Sequence, residues 1–361
     1  MRYRIKDASS SKHLRRHIAG CNRVWNFCVA TQRESERRWR AGSIVPMLSA
    51  FDFVRLCTGA SSELNLHSDT VQTICRQFSV SRDTQRRCPK FRASSGPKRS
   101  LGWVPFISRA IKVAGGTVTY LKRKYHFWKS REIEGKIKAG AFVEDARGRW
   151  YVCFQCEVED KLPTGTGKIG IDLGLKALAT CSDGATIPAL RHYRRHEAAL
   201  ATAQRARNKR RVRAIHAKIA NSRRHHLHEW STKLARENEL IVVGNVSPAQ
   251  LTKTRMAKSI LDASWTMLRT QLRYKARRHG ARYVKADERW TSATCSDCGA
   301  VSGPKGIAGL RVRHWDCSSC GASHDRDLNA AQNILLVGLE RQAPVVGIRQ
   351  SGEDVKIPAP S

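Results

Sequence analysis

Cys295, Cys298, Cys317 and Cys320 form a C-x2-C-x18-C-x2-C quartet, and no other feature of the chain restricts its fold as strongly. Two thiol pairs at this spacing are the pattern of a four-thiolate structural zinc site. The arm between the pairs, "GAVSGPKGIAGLRVRHWD", is rich in Gly and basic residues, as the arm of a zinc ribbon would be. Four thiolates complete the coordination of the ion, so it organises structure and does no chemistry. Of the other eight of the twelve cysteines, four can be sorted away by periodicity. Cys21, Trp25 and Cys28 fall at i, i+4, i+7, one apolar helix face, which makes those thiols core. In "RWYVCFQCEVE" period-two alternation puts Val152, Phe154, Cys156 and Val158 on one face and Cys153 on the other, a poor chelating geometry.

Directly before the quartet, "KADERW" carries the adjacent carboxylates Asp287 and Glu288. Further acids stand out upstream and downstream. In "KIGIDLG", Ile169, Ile171 and Leu173 share one strand face, and Gly170, Asp172 and Gly174 share the other. An acid between two glycines is open to close approach by metal ions and a nucleic-acid backbone. Asp325 and Asp327 begin the last helix, where each alone reads as a cap or a dipole partner. Together with Asp172 and a zinc ribbon they acquire meaning, because phosphodiester hydrolysis with two Mg2+ ions needs about three carboxylates converging from different elements.

A formal charge of +36 makes the chain repel itself unless a polyanion neutralises it, so nucleic acid is the expected partner. The basic residues interleave with core patterns rather than forming a tail, which disfavours a ribosomal or membrane-surface role. The densest stripe lies within 191–237 and includes Arg205, Arg207, Lys209, Arg210, Arg211, Arg213, Arg223 and Arg224. So lopsided a helix tracks a phosphate backbone more readily than it serves as a solvated face. No run reaches the roughly 18 apolar residues that span a bilayer, and "MRYRIKDASSS" is not a signal peptide, so a cytoplasmic protein is expected.

Along the chain, 13–90 reads as helical, and "DTQRRCPKFRASSGPKRS" breaks it. Short alternating runs up to about 160 predict a small antiparallel barrel or sheet. "DKLPTGTG" is a linker, since Leu162 stands where a phosphate loop needs its first Gly. Then follow a two-strand hairpin in "KIGIDLGLKALATCSDG", a helical stretch over 191–237, the buried strand "ELIVVGNV", an amphipathic helix ending at Gly280, the strand "ARYVKADE", the zinc insert and the helix "HDRDLNAAQNILLVGLER". This is an α/β multidomain order with a mixed sheet. Ligands in such sheets sit at the carboxyl ends of strands. Residues 341–361 read as a flexible tail.

"GIDLGLKALATCSDG", "TRMAKSILDASWTMLRTQLRYKA", "RWTSATCSDCG" and "CSSCGASHDRDLNAAQNIL", with "NRVWNF" and "CPKFR", resemble the TnpB family, the OrfB-type insertion-sequence proteins related to type V CRISPR effectors. The resemblance implies an RNA-guided, Mg2+-dependent DNA endonuclease. It would have a β-barrel over 1–12 and 91–162, a helical recognition lobe over 13–90, an RNase H-like (RuvC) domain over 163–290 and 323–340, and a zinc ribbon over 291–322. It further implies Asp172 and Asp327 as catalytic, Mg2+-holding acids, with a guide RNA from the flanking element and target double-stranded DNA as partners; monomer or dimer is left open.

The second nuclease motif departs from the family, whose central strand typically ends in a catalytic Glu, whereas "IVVGNV" has Gly244. Glu288 closes the neighbouring strand, and adjacent strands lie about 4.8 Å apart. It is therefore the expected replacement ligand, reaching across into the room that Gly244 leaves. A nuclease-inactive guided repressor, supported by Gly244, and a conventional transposase are the competing readings.

Overall fold

The computed structural model describes residues 1–6, 8–44, 47–159, 162–246, 263–305, 309 and 311–340, and the chain divides into two compact units, 1–159 and 160–361. In the first unit, strands β1 (Arg2–Arg4), β2 (Trp103–Ile107), β6 (Lys136–Glu144) and β7 (Trp150–Glu157) form an antiparallel sheet in the order β1-β7-β6-β2. Strands β3 (Ile111–Ala114), β4 (Thr117–Tyr120) and β5 (Arg123–His126) form another. A bridge between Ile5 and Phe127 links the two sheets, and Trp128 N donates to Arg4 O at 2.8 Å beside it. Tyr3, Phe106, Phe127, Phe142 and Phe154 fill the shared core. Along β7 the alternation read from the sequence holds: Trp150, Val152 and Phe154 are buried, and the two cysteines are half-buried.

Helices α1 (Ala8–Arg40), α2 (Ala50–Leu56), α3 (Ala60–Glu63) and α4 (Ser68–Gln85) complete this unit. Leu14, Ile18, Cys21, Trp25 and Cys28 form the buried stripe of α1, at the spacing of one helix face. Trp25 of this stripe and its neighbour Asn26 grip the chain that follows α4. Trp25 Nε1 donates to Lys90 O at 3.0 Å, while Asn26 gives Nδ2 to Arg92 O at 2.9 Å and takes Arg92 N on Oδ1 at 2.7 Å. The "NRVWNF" and "CPKFR" stretches are thus two halves of one contact.

The second unit is built on a five-stranded sheet of β8 (Gly167–Leu173), β9 (Ala177–Cys181), β10 (Thr186–Pro188), β11 (Asn238–Gly244) and β12 (Arg282–Ala286), in the order β10-β9-β8-β11-β12. β8, β11 and β12 are parallel; β9 runs antiparallel to β8, and β10 antiparallel to β9. The expected hairpin is therefore a three-strand meander. Where one long helical stretch was expected, α5 (Glu197–Arg205) and α6 (Lys209–Glu237) are separate. Arg207 takes φ +52°, and Asn208 caps the new helix by accepting from Arg211 N at 2.9 Å. Leu200, Ala203, Ile215 and Ile219 seal the two against each other.

Parity sorts the two faces of this sheet. Ile169, Ile171, Ile241 and Val243 pack with Leu227 and Leu234 of α6 and with Leu268 and Leu272 of α7 (Trp265–Arg278). Leu240, Val242 and Ala286 pack with Ile334 of α8 (Arg326–Glu340). Gly170 and Asp172 share the parity of the α8 face, as does Gly244 with Leu240 and Val242. A Cβ on Gly170 would lie 2.1 Å from Ala331 O, and one on Gly338 would lie 2.3 Å from Val242 Cγ2. The glycine beside Asp172 thus admits the helix backbone, not a nucleic acid as the sequence suggested. Gly174 serves the turn, its Cβ position being 2.9 Å from Ala177 O.

Lys275 of α7 is buried against α6, donating to His228 O, Ser231 Oγ and Thr232 Oγ1 at 2.6–2.8 Å. Burial, then the charges of Arg278 and Arg236, pull its pKa down to about 8. The unfolded chain, with a lysine near 10.4, binds more protons between those values, so stability rises with pH across roughly 8 to 10.4. Lys275→Met is expected to remove that slope in denaturant melts taken from pH 7 to 10. The first residues of the expected amphipathic helix, 257–262, and the tail 341–361 lie outside the described residues. Among those described, no helix is long and apolar enough to cross a membrane.

Candidate active site

Asp172, Glu288 and Asp327 are carried by β8, by the turn after β12, and by the first turn of α8. Parallel pairing aligns Ile171 with Val243 and Gly244 with Ala286, so the C-terminal ends of β8, β11 and β12, with Asp172, Gly244 and the turn that carries Glu288, share one edge. Glu288 Oε2 lies 2.5 Å from where a Cβ on Gly244 would stand, with Glu288 Cβ at 3.6 Å. A side chain from the turn after β12 therefore fills the room above Gly244; Glu288, expected to close that strand, stands two residues past its end at Ala286. The oxygens of the three acids do not all lie within 4.8 Å of one another, yet they are close enough to act on each other electrically. Burial, then Glu288 and Asp327, push Asp172 up to about 7, and burial also raises Glu288. In the metal-free protein the folded state keeps a proton on Asp172 that the unfolded state has released above about 4. That contribution to stability fades as pH rises towards 7.

The neighbouring acids have other tasks. Asp287 accepts from Asn245 Nδ2 and from Arg289 N, each at 3.3 Å, and so closes the turn. Asp325 Oδ1 accepts from Asp327 N and Leu328 N at 3.0 Å, capping α8. That cap leaves the Asp327 carboxylate to meet Arg313 Nη1, 3.1 Å from both its oxygens. Arg269 holds the end of β11 through Val246 O at 2.9 Å and its charge acts on Glu288. Trp290, two residues after Glu288, is exposed and held at φ +65°, a costly conformation for a bulky residue.

The four sulfurs of the quartet lie within 4.8 Å of one another, with Cys295–Cys320 at 3.7 Å and Cys298–Cys317 at 3.6 Å. A tetrahedral ion bonded at about 2.3 Å requires sulfurs about 3.8 Å apart. Both pairs sit in the same knuckle: Cys295 N donates to Ala300 O and Cys317 N to Ala322 O at 2.9 Å, with Gly299 and Gly321 at positive φ. β13 (His314–Asp316) and β14 (Ser323–Asp325) form the hairpin of the arm. His324 Nε2 lies 3.0 Å from Cys295 Sγ.

The segment between Glu288 and the first knuckle is fastened to α8 by residues that the sequence reading passed over. Thr291 donates to Glu288 O through Oγ1 at 2.9 Å. Thr291 O and Thr294 O in turn accept from Asn329 Nδ2 and Asn333 Nδ2 at 2.7–3.1 Å. The signal was present: two asparagines at i and i+4, each followed by an apolar residue of the helix, Ala330 and Ile334. Of the basic set, Arg205, Arg207, Lys209, Arg210, Arg211, Arg213 and Arg224 are exposed along α5 and α6. Arg223 is half-buried and lines a cavity of about 400 Å³ with His192 and His226.

Residues 151–255 match a family model described as OrfB of IS605 type, a probable transposase, and 265–334 match the Cas12f1-like TNB domain. Two curated relatives carry the name "Putative RNA-guided DNA endonuclease". One, from Streptomyces pristinaespiralis, is 40% identical over 58% of this chain and 55% of its own length. The other, InsQ of Escherichia coli K12, is 28% identical over 58% of each chain. The chain thus spans about half the length of the curated relatives it matches. A Cas12f1 chain solved with sgRNA and target DNA covers 91% of this chain, and 83% of that chain is matched, at TM-score 0.58 and 13% identity, a likeness of fold.

Proposed function

We infer that this chain, which belongs to the TnpB family, is an RNA-guided DNA endonuclease that hydrolyses phosphodiesters at Asp172, Glu288 and Asp327. The observation that carries this reading is the Glu288 carboxylate over Gly244, which supplies an acid at the strand end where the family's glutamate is missing. A guided repressor would have no use for that replacement. The strand order, with acids on its central strand and on the last helix, supports an RNase H-like (RuvC) core with an inserted zinc ribbon. The two linked antiparallel sheets of the first unit support a small barrel bearing a helical recognition lobe.

The three acids fit magnesium: burial first, and then the charges of Glu288 and Asp327, raise Asp172 to about 7, and a divalent cation would relieve the repulsion among them. Bound there, Mg2+ would activate water and neutralise charge on the phosphodiester. Asp172 from β8 and Asp327 from α8 would hold the ion, and Thr291 with Asn329 and Asn333 fastens the segment after Glu288 to the helix that carries Asp327. Arg205, Arg207, Lys209, Arg210, Arg211, Arg213 and Arg224 present a cationic stripe suited to a phosphate backbone, with Arg223 beside it. A guide RNA from the flanking element would supply sequence specificity by pairing.

The test is plasmid cleavage by protein purified with its co-expressed flanking RNA, in Mg2+ or in EDTA. Cleavage is expected in Mg2+ alone. Asp327→Asn should abolish it without loss of thermal stability, whereas Asp325→Ala should cost about 1 kcal/mol of stability through the lost cap and keep cleavage. Guided DNA binding without cleavage in the wild type would replace this reading with the repressor.

A further inference from the structure

Three thiols from three helices meet inside the first unit. Cys28 lies in α1, Cys57 caps the C-terminus of α2, and Cys75 lies in α4. Their sulfurs all lie within 4.8 Å of one another, with Cys28 and Cys75 4.0 Å apart, and the three residues are 0%, 7% and 0% exposed. Among the described residues, the zinc-ribbon quartet is the only other group of metal-binding side chains so closely drawn together. Sulfurs that share one ion at about 2.3 Å stand about 3.8–4.0 Å apart, so the Cys28–Cys75 separation already suits a common ion.

We propose that Cys28, Cys57 and Cys75 form a second metal site, holding a thiophilic divalent cation of the zinc class in the helical part of the first unit. The donors select the ion. Three sulfurs in the same apolar core as Trp25, Phe53 and Phe78 suit zinc and its soft analogues, whereas magnesium and calcium require oxygen. Three thiolates on a divalent ion leave one net negative charge, tolerable in a chain of formal charge +36, and one coordination position for water. Cys57, the least buried of the three, marks the side from which ion and water enter. The site also meets a structural need. α2 has seven residues, too few to be stable as an isolated helix, and a shared ion would staple its end to α1 and α4.

Metal content of the full-length protein decides the matter. Chain reduced, loaded with Zn2+ and freed of loosely held metal by gel filtration is expected to retain two ions. The ribbon variant Cys317→Ala/Cys320→Ala should retain one, and when loaded with Co2+ should show a sulfur-to-cobalt charge-transfer band. Cys57→Ala should likewise retain one, held by the ribbon. One ion in the wild type and none in the ribbon variant would overturn the proposal. If either variant fails to fold, the sulfur-to-cobalt charge-transfer intensity of the Co2+-loaded wild type, that of about seven thiolates or of four, still decides and is blind to metal held by carboxylates.

Discussion

Moving the glutamate back, Gly244→Glu combined with Glu288→Ala, is expected to restore the Mg2+-dependent cleavage that Glu288→Ala alone removes. The single variant deletes one of three converging carboxylates and should lower cleavage about a hundredfold or more, roughly 3 kcal/mol of barrier. It also removes a negative charge that, after burial, is the largest cause of the raised Asp172 pKa. Asp172 should then titrate lower in the metal-free protein, a change that carboxyl NMR reads and that reports the nearness of the two carboxylates. The double variant works because the two positions contend for one space. A Cβ on Gly244 falls 2.5 Å from Glu288 Oε2 but 3.3 Å from Ile334 Cδ1. With Glu288 cut to Ala, a glutamate at 244 enters the emptied room on the Asp172 face, and only the tip of Ile334 must yield. Gly244→Glu without the partner change should be inactive, since two carboxylates would crowd one position. If the double variant stays as inactive as Glu288→Ala while folding normally, Glu288 is not a transplanted ligand.

The sequence made some of this legible and hid the rest for identifiable reasons. Alternation in "KIGIDLG" set Asp172 on the face opposite Ile169 and Ile171, and strand spacing allowed Glu288 to reach Gly244, because both arguments need only backbone geometry. The break between α5 and α6 depends on one left-handed residue, Arg207, a type with no preference for it; Asn208 alone gave warning. Gly170 was taken as room for metal and nucleic acid because a strand's periodicity tells which face a residue occupies and not what covers that face. The same blindness applies to Cys28: spacing showed it buried in a helix, and Cys57 and Cys75 come to it from 29 and 47 residues away. Tertiary neighbours of this kind leave no local periodicity to read.

Gly170→Ala shows how closely fold and chemistry are joined at this sheet, and is expected to damage both. An alanine in a strand normally gains a little over glycine, through the lower entropy of the unfolded chain. Here its methyl group would sit 2.1 Å from Ala331 O and 2.7 Å from Leu335 N. Both are helix backbone atoms, so no rotamer change relieves the overlap, and α8 must move away from β8 by about 1 Å to restore ordinary contact. Overpacking of that kind costs roughly 1–3 kcal/mol. α8 also carries Asp327 in its first turn and, through Asn329 and Asn333, the segment that positions Glu288. Two of the three acids would therefore shift against Asp172, and a 1 Å misplacement is enough to cost about a hundredfold in rate. Gly244→Ala separates the two effects. Its methyl group meets the tip of a glutamate rather than backbone, so melting should be nearly unchanged while cleavage falls with Glu288 pushed aside. Equal loss of stability in the two variants would mean that α8 does not rest on Gly170 as closely as the geometry requires.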